Sequence, residues 1–356
     1  MKNLFYLLIT FLIALSAFAQ GNNHLGIEIQ NRTGFIIAHR GLMSHIPESH
    51  AIGGELTVYY QTKGKSEYHQ LYKYPKYGVS FIGTSVGNGH ILGSMFGGIV
   101  FGDFPFIKTK KDEFSGNIGV GIGYVTKIYD PVKNPKNSAI STHLNALINL
   151  GIKYRHYFSN GLYFNLGFNI THASNGASRV PNLGVNLIQP SIGIGYLLEN
   201  VELKTKEQKI ELDKKWKFGL LGIVSCKEIY PIGGKLHLIG NLSFTVTKRF
   251  TKKSGIEIYA DGFYKTSILN DVYRDDTTPW NVIQAGVFSA YNLYINKLRV
   301  VVGLGAYVYD KFKPDGPIYT RLGFKYQINN HLLAVVGLKS HWAKADYVEY
   351  GIGYTF

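Results

Sequence analysis

A histidine and a serine two residues apart, His172 and Ser174, are the side chains of this sequence whose types and spacing best fit catalysis. On a β-strand that spacing places both side chains on one face, roughly 7 Å apart along the backbone. There an imidazole can accept the proton of a hydroxyl, which is the minimum apparatus of nucleophilic acyl transfer. The stretch Thr171–Asn186, which reads THASNGASRVPNLGVN, therefore contains a candidate nucleophile–base pair.

The elements that must position this pair are predicted to be β-strands. After residue 20 the sequence is a succession of segments, each about 10–16 residues long, in which apolar and polar side chains alternate between turn signals. This pattern predicts an all-β fold, an antiparallel transmembrane β-barrel of about sixteen strands, with 12–14 as the alternative. The predicted strands are 24–37, 51–62, 76–86, 91–106, 115–129, 142–158, 161–174, 183–198, 216–230, 235–248, 255–268, 281–294, 298–311, 317–328, 331–342 and 346–356.

Short and long connections alternate along the chain, as in outer-membrane barrels with short periplasmic turns and longer outer loops. The exceptions are the segment near Lys63–Lys76 and the charged stretch Glu199–Lys215, which are long where short turns are expected. The chain ends in the alternating, aromatic-terminated segment Tyr350–Phe356, which resembles the assembly signal of such barrels and predicts the barrel assembly machinery as a partner. The predicted short turns are 159–161, 296–297 and 329–330, and the predicted long loops are 130–141, 269–280 and 310–317.

Residues 1–19 have the pattern of a secretory signal peptide: Lys2, an apolar run over Leu4–Leu15, and small residues at Ala17–Ala19. We therefore expect an exported protein whose residues 20–356 form the barrel in the outer membrane. The formal charge of +15 favours contact with anionic lipid headgroups. Because the chain is exported and has no basic helix, we expect no nucleic-acid partner.

Strand parity gives the direction in which the histidine and serine point. In segment 161–174 the even positions are apolar up to Ile170 and then continue with His172 and Ser174, so the pair belongs to the lipid-facing row. If the hairpin pairs His172 with Asn186, the rest of its register also makes sensible apolar pairs. Pro190 predicts a bulge or local irregularity in the second strand. Counting from a periplasmic N-terminus, Ser174 lies at the outer-leaflet rim, where it would meet the acyl esters of a membrane lipid.

These residues resemble a known family. The motifs His172-Ala-Ser174-Asn175 and Pro181-Asn182-Leu-Gly184 look like the active-site signature of the outer-membrane lipid A 3-O-deacylases, the PagL family of acyloxyacyl hydrolase-like barrels. The resemblance covers roughly residues 110–200 and leaves 216–356 as additional strands. It implies a lipid A deacylase, a serine carboxylic-ester hydrolase, that acts on lipid A or lipopolysaccharide in the outer leaflet.

The resemblance also assigns roles. It implies that Ser174 is the nucleophile and His172 the general base. It implies that the Asn182 side chain lines the oxyanion hole with a backbone N–H near Gly176-Ala177, and it makes Asn175 part of the same substrate-binding set.

Two positions depart from the family pattern. Ala177 stands where the family has glycine, and Asn186 stands where it carries the glutamate that orients the histidine. An asparagine can accept a hydrogen bond from imidazole Nδ1–H and hold its tautomer, but it supplies no negative charge. Either the activity is lower, or another carboxylate assists, for which Asp130 is the candidate. The departure also allows a relative without activity.

The alternative function is a non-enzymatic barrel, a channel or lipid-binding protein, because sixteen strands in one barrel could enclose an aqueous lumen. We expect no metal and no cofactor, since the histidines and acids have no ligand spacing typical of a metal site. His39, His45 and His50 are interpreted as exposed loop histidines. His156 and Ser159, three residues apart, face opposite sides of a strand and are assigned to structure.

Overall fold

The computed structural model describes residues 24–64, 66–158, 161–198, 211–271, 278–312, 315–342 and 344–356. All sixteen predicted strands are present among them, each within a few residues of its predicted ends. They are β1 Leu25–Ile36, β2 Ala51–Gln61, β3 Lys76–Ser85, β4 Ser94–Lys108, β5 Asp112–Val125, β6 Leu144–Tyr157, β7 Leu162–Ser174, β8 Val185–Leu197, β9 Lys217–Lys227, β10 His237–Arg249, β11 Ser254–Lys265, β12 Ile283–Ile295, β13 Leu298–Asp310, β14 Ile318–Gln327, β15 Leu332–His341 and β16 Lys344–Thr355.

The strands close as two antiparallel barrels of eight, where the sequence predicted one barrel of sixteen. In the first barrel β8 pairs with β1, and in the second β16 pairs with β9. The all-β antiparallel fold and the number of strands are thus confirmed, while the closure differs. The helices are short: α1 Glu67–Leu71, α2 Ile268–Asp271, and 3₁₀ turns at Gly41–Met43 and Pro279–Val282. In the described part of the chain, none of the helices has the length and apolar character needed to span a membrane.

The interior of the first barrel is filled by charged side chains that neutralise one another. Arg155 donates to Glu28 at 3.2 Å, to Asp103 at 2.6 Å and to Glu113 at 3.1 Å, and all four are almost completely buried. Such charges are tolerated inside because each is paired. The inward positions of the strands are therefore polar and the outward ones apolar, which is the alternation seen in the sequence.

The second barrel is filled in a similar way. Arg321 bonds Asp261 and Glu349, each at 2.9 Å, and a buried aromatic cluster surrounds it. Arg321 lies over the rings of Tyr259 and Phe288, with its guanidinium carbon within 6 Å of each ring centre. Because an eight-stranded barrel is just wide enough for side chains to fill it, the argument for an aqueous lumen of sixteen strands is wrong for this fold.

The β7–β8 hairpin has the predicted register. His172 pairs with Asn186, and Leu162 pairs with Tyr196 at the other end. Pro190 causes no register shift in this hairpin, so the predicted bulge is absent there, but the pairing of β8 with β1 is interrupted opposite it, between the pairs Arg32–Ser191 and Phe35–Ile188. This gap is the local irregularity expected of a residue that lacks an N–H donor.

Contact between Cα atoms divides the chain into two compact units. The first comprises 1–128, 143–173 and 185–208, and the second comprises 129–142, 174–184 and 209–356. The tight turn 296–297 is confirmed, with Asn296 at a φ of 57° between β12 and β13. The predicted signal peptide 1–19, most of the turn 159–161, most of the stretch 199–215 and part of the loop 269–280 lie outside the described residues.

Candidate active site

His172 and Asn186 face each other on the outward side of the β7–β8 hairpin. His172 Nδ1 lies 2.7 Å from Asn186 Oδ1. Because an amide oxygen can only accept a hydrogen bond, this contact assigns the ring proton to Nδ1, and Nε2 is then the basic nitrogen. The predicted orienting contact is therefore present, with an asparagine in place of a carboxylate.

Ser174 is the last residue of β7 and follows His172 by two positions. The parity of the strand agrees with the prediction, because Leu162, Leu166 and Ile170 are all more than 40% exposed on the face to which His172 belongs. Ser174 itself is 7% exposed. A hydroxyl that is screened from water is in a suitable environment for acyl transfer.

The connection 175–184 holds an unsatisfied hydrogen-bond donor. The Asn175 backbone N–H donates to Asn182 Oδ1 at 3.1 Å, which fixes the orientation of that amide. Asn182 Nδ2 is buried and has no hydrogen-bond partner among the residues that the structure describes. A buried donor left without a partner costs free energy, and such donors require an explanation. An oxyanion that forms during a reaction would provide one.

The two residues after Asn175 form a turn with left-handed backbone. Gly176 and Ala177 have φ values of 64° and 63°, and the Ser178 N–H donates to the Asn175 carbonyl at 3.3 Å. A residue with a Cβ pays about 1–2 kcal/mol for this conformation. The family's glycine at position 177 suits this backbone, and the alanine of this chain adopts it under mild strain. Gly176 is also constrained, because a Cβ there would lie 2.1 Å from Val348 Cγ2.

Glu228 anchors the same connection within the second unit. Its Oε2 accepts the Val180 N–H at 2.9 Å, its Oε1 accepts the Gly233 N–H at 2.7 Å, and its own N–H donates to the Ala177 carbonyl at 3.3 Å. The carboxylate is 1% exposed and lies 3.7 Å from Arg179. A buried carboxylate with several donors holds the backbone that carries Asn182, and the sequence contained no signal for this role.

Replacing Glu228 by alanine is expected to leave the Val180 and Gly233 N–H groups without their acceptor and to loosen residues 175–184. Small displacements of catalytic groups can lower a reaction rate by about 10²-fold. For the reaction catalysed at this site, we therefore expect the kcat of the alanine variant to fall by roughly 10- to 100-fold. Glu228→Gln, which keeps one accepting oxygen, is the matched variant and should lose less. Limited proteolysis should cut 175–184 faster in the alanine variant, and equal cutting and equal kcat in all three proteins would contradict this role.

The contacts of the Asp130 carboxylate lie within its own loop. Its Oδ1 accepts the N–H groups of Lys133 at 2.7 Å and Val132 at 2.9 Å. These two donors lower the pKa of Asp130 below its usual value. The carboxylate therefore caps a turn, and its hydrogen bonds with described residues give no support to the predicted role of Asp130 as the acid that assists His172.

One group of described residues has the geometry of a metal site. Asp315, His341 and Asp346 each place a ligand atom within 4.8 Å of the others. However, Asp346 already bonds the amines of Lys265 and Lys339, at 3.1 and 3.0 Å. A cation would have to displace these positive charges, so the group does not favour a metal.

His39 contacts Asn186, a position that the sequence did not predict for it. It is half-buried, and its Nδ1 lies 2.9 Å from Asn186 Nδ2. The interpretation of His39 as an exposed loop residue is therefore wrong, whereas His45 and His50 are exposed as predicted. The contact between His39 and Asn186 follows from the closure of an eight-stranded barrel, which brings the end of β1 beside β8. A sequence prediction of that closure would have been needed to expect it. His156, assigned to structure, bonds Asp112 at 2.8 Å on the neighbouring strand.

Comparison with known proteins gives two family models that match this chain. Residues 52–195 match the family model of lipid A 3-O-deacylase (PagL), and residues 214–356 match that of the C-terminal domain of acyloxyacyl hydrolase. The second match accounts for the additional strands 216–356, which the resemblance seen in the sequence had left unassigned. No curated protein matches the chain significantly.

Three solved structures illustrate the likeness of this chain to other proteins. An outer-membrane channel from Pseudomonas putida F1 is 8% identical, with 94% of this chain and 96% of that one covered and a TM-score of 0.21. The KdgM porin is 9% identical, with 92% and 99% covered and a TM-score of 0.17. The FrpB iron transporter from Neisseria meningitidis is 8% identical, with 94% and 71% covered and a TM-score of 0.24. At these TM-scores the likenesses carry no argument about this chain.

The assignment thus rests on the two family models, which together cover most of both barrels. The family and the barrel fold indicate an acyl hydrolase of the outer membrane. The chain belongs to the lipid A 3-O-deacylase (PagL) family.

Proposed function

We propose that this protein is a serine esterase that removes an ester-linked acyl chain from lipid A in the outer leaflet of the outer membrane. The observation that carries the proposal is the His172–Asn186 hydrogen bond of 2.7 Å on the outward face of the hairpin. It assigns the imidazole proton to Nδ1, so that Nε2 can act as the base on the strand face shared with Ser174.

The proposed reaction has two halves. His172 Nε2 accepts the Ser174 Oγ proton while Oγ attacks the ester carbonyl carbon, and the Asn182 Nδ2–H group with a backbone N–H near Gly176-Ala177 stabilises the oxyanion. His172 then gives its proton to the departing alcohol oxygen, which leaves an acyl-enzyme. Water, deprotonated by His172, attacks this ester and releases the fatty acid, and Ser174 recovers its proton.

The surroundings of the pair favour a lipid substrate. The face that carries His172 continues with Ile170 and Phe168, each 41% exposed, so an acyl chain could lie along the wall of the first barrel. The formal charge of +15 suits an anionic lipid. As a further proposal, the C-terminal strand, β16, is the segment that the barrel assembly machinery recognises. No observation favours the alternative of a channel, because side chains fill both barrels.

The test of the activity is mass spectrometry of lipid A. Cells that express the chain in their outer membrane are expected to contain lipid A that is lighter by one acyl chain than the lipid A of cells that lack it. Unchanged lipid A, with the folded protein present in the membrane, would exclude a deacylase.

The serine mechanism has a separate test. A lipophilic phosphonate ester, which mimics the tetrahedral intermediate, is expected to label the purified protein once per chain, at Ser174. Peptide mass mapping locates the adduct. Deacylation of lipid A together with labelling at another residue would refute the role of Ser174 and leave the activity intact.

A further inference from the structure

Three side chains form a continuous hydrogen-bonded row that ends at the proposed base. His39 Nδ1 lies 2.9 Å from Asn186 Nδ2, and Asn186 Oδ1 lies 2.7 Å from His172 Nδ1. All three belong to the first unit. The amide of Asn186 thus contacts one histidine through its donating end and the other through its accepting end.

The direction of this amide decides the chemistry of His172. Because Nδ2 always carries hydrogens, His39 can face it only with an unprotonated Nδ1, so its ring proton is on Nε2. Oδ1 then faces His172 and requires a proton on His172 Nδ1, which makes Nε2 the base. If the amide were reversed, its Nδ2 would donate to His172 Nδ1, and the ring proton of His172 would lie on Nε2. A protonated Nε2 could not accept the serine proton, so His172 could not act as the base.

The closure of the first barrel fixes His39 in this place. Strands β1 and β8 pair up to Ile36 and Leu187, and the Ile37 N–H continues the ladder by donating to the Asn186 carbonyl at 2.9 Å. The His39 N–H then donates to the Ile37 carbonyl at 3.1 Å. These two hydrogen bonds hold the backbone of His39 near that of Asn186, just beyond the last residue pair of β1 and β8.

We propose that His39 is a positioning residue that holds the Asn186 amide in the orientation required for the catalytic tautomer of His172. This inference rests on the proposed function. A glutamate at position 186 would not need such a partner, because either carboxylate oxygen accepts a hydrogen bond. An amide has only one accepting atom. A second residue must therefore hold the amide in the orientation that turns this atom toward His172.

The test compares His39 variants in two backgrounds, measured as kcat for acyl release from lipid A in detergent. His39→Leu removes the acceptor and is expected to lower kcat about 3- to 10-fold with KM unchanged, the value of one hydrogen bond. His39→Gln can still accept from the amide and should retain most of the rate. His39→Lys can only donate, so it should reverse the amide and lose more than His39→Leu. In an Asn186→Glu background His39→Leu should leave kcat unchanged.

Equal losses for His39→Leu in both backgrounds would overturn the proposal, because they would indicate a purely structural role. If neither the unmodified chain nor Asn186→Glu released acyl chains, the proposed function itself would fail, which is a distinguishable result. Nitrogen NMR of the histidine rings in detergent-solubilised Ser174→Ala protein needs no activity. His172 should be protonated at Nδ1, and His39→Leu should produce a mixture of tautomers. An unchanged single tautomer in His39→Leu would overturn the proposal.

Discussion

Replacing Ser174 by alanine is expected to lower the rate of lipid A deacylation by about 10⁴-fold or more, because it removes the atom that forms the acyl-enzyme. His172→Ala should lose a similar factor, since the hydroxyl would then have no base. The double variant should be no slower than either single variant, because a nucleophile and its base act as one unit. The measurement is acyl release from lipid A by purified protein, followed over several decades of rate.

Matched controls lie elsewhere in the chain. Ser289 is an exposed outward serine on β12, and Ser289→Ala should keep the full rate. His156 resembles His172 in bonding a side chain on the adjacent strand, at 2.8 Å, and His156→Ala should also remain active. If the double variant lost the product of the two rate factors lost by Ser174→Ala and His172→Ala, the two residues would act independently. That result would contradict a nucleophile–base pair.

Replacing Asn182 by alanine is expected to lower kcat by roughly 10²- to 10³-fold with little change in KM, the usual loss of one oxyanion-hole donor. The reason is that Asn182 Nδ2 is buried and has no hydrogen-bond partner among the described residues. Its N–H group is therefore available to donate to the oxyanion, which carries its charge only during the reaction. The kinetic constants for acyl release from lipid A in detergent provide the measurement.

Asn182→Asp separates this role from a structural one. An aspartate keeps an oxygen to accept the Asn175 N–H, the bond that Asn182 Oδ1 makes at 3.1 Å, but it loses the donor and adds a negative charge. If Asn182 stabilises the oxyanion, Asn182→Asp should be at least as slow as Asn182→Ala. A fully active Asn182→Asp would show that the residue serves only to shape the connection 175–184.

The sequence by itself determined the strands and the register of one hairpin. Alternation with a period of two is a local property, so all sixteen strands could be predicted from their own residues. The pairing of His172 with Asn186 could be predicted for the same reason, because β7 and β8 are consecutive and register in a hairpin follows from the apolar pattern. The spacing of His172 and Ser174 needed no more than strand parity.

The closure of the barrels required the tertiary structure. Nothing local in β8 distinguishes a pairing with β9 from the observed pairing with β1, since every strand has the same alternation. What favours eight strands is the filling of the interior, where Arg155 reaches Glu28 across 127 residues of sequence. Alternation shows that a face is polar, but it does not show which distant charges will neutralise one another.

The surroundings of the hairpin depended on that closure. His39 and Asn186 are separated by 147 residues, and their contact exists because β1 and β8 meet. Glu228 lies outside the hairpin altogether and still accepts the Val180 N–H. The sequence alone thus determined which residues could act as nucleophile and base, because adjacent positions in a strand and a hairpin fix their relation. Only the tertiary structure decided that His39 contacts Asn186 and that Glu228 contacts Val180, because those contacts join parts of the chain that the local pattern does not relate.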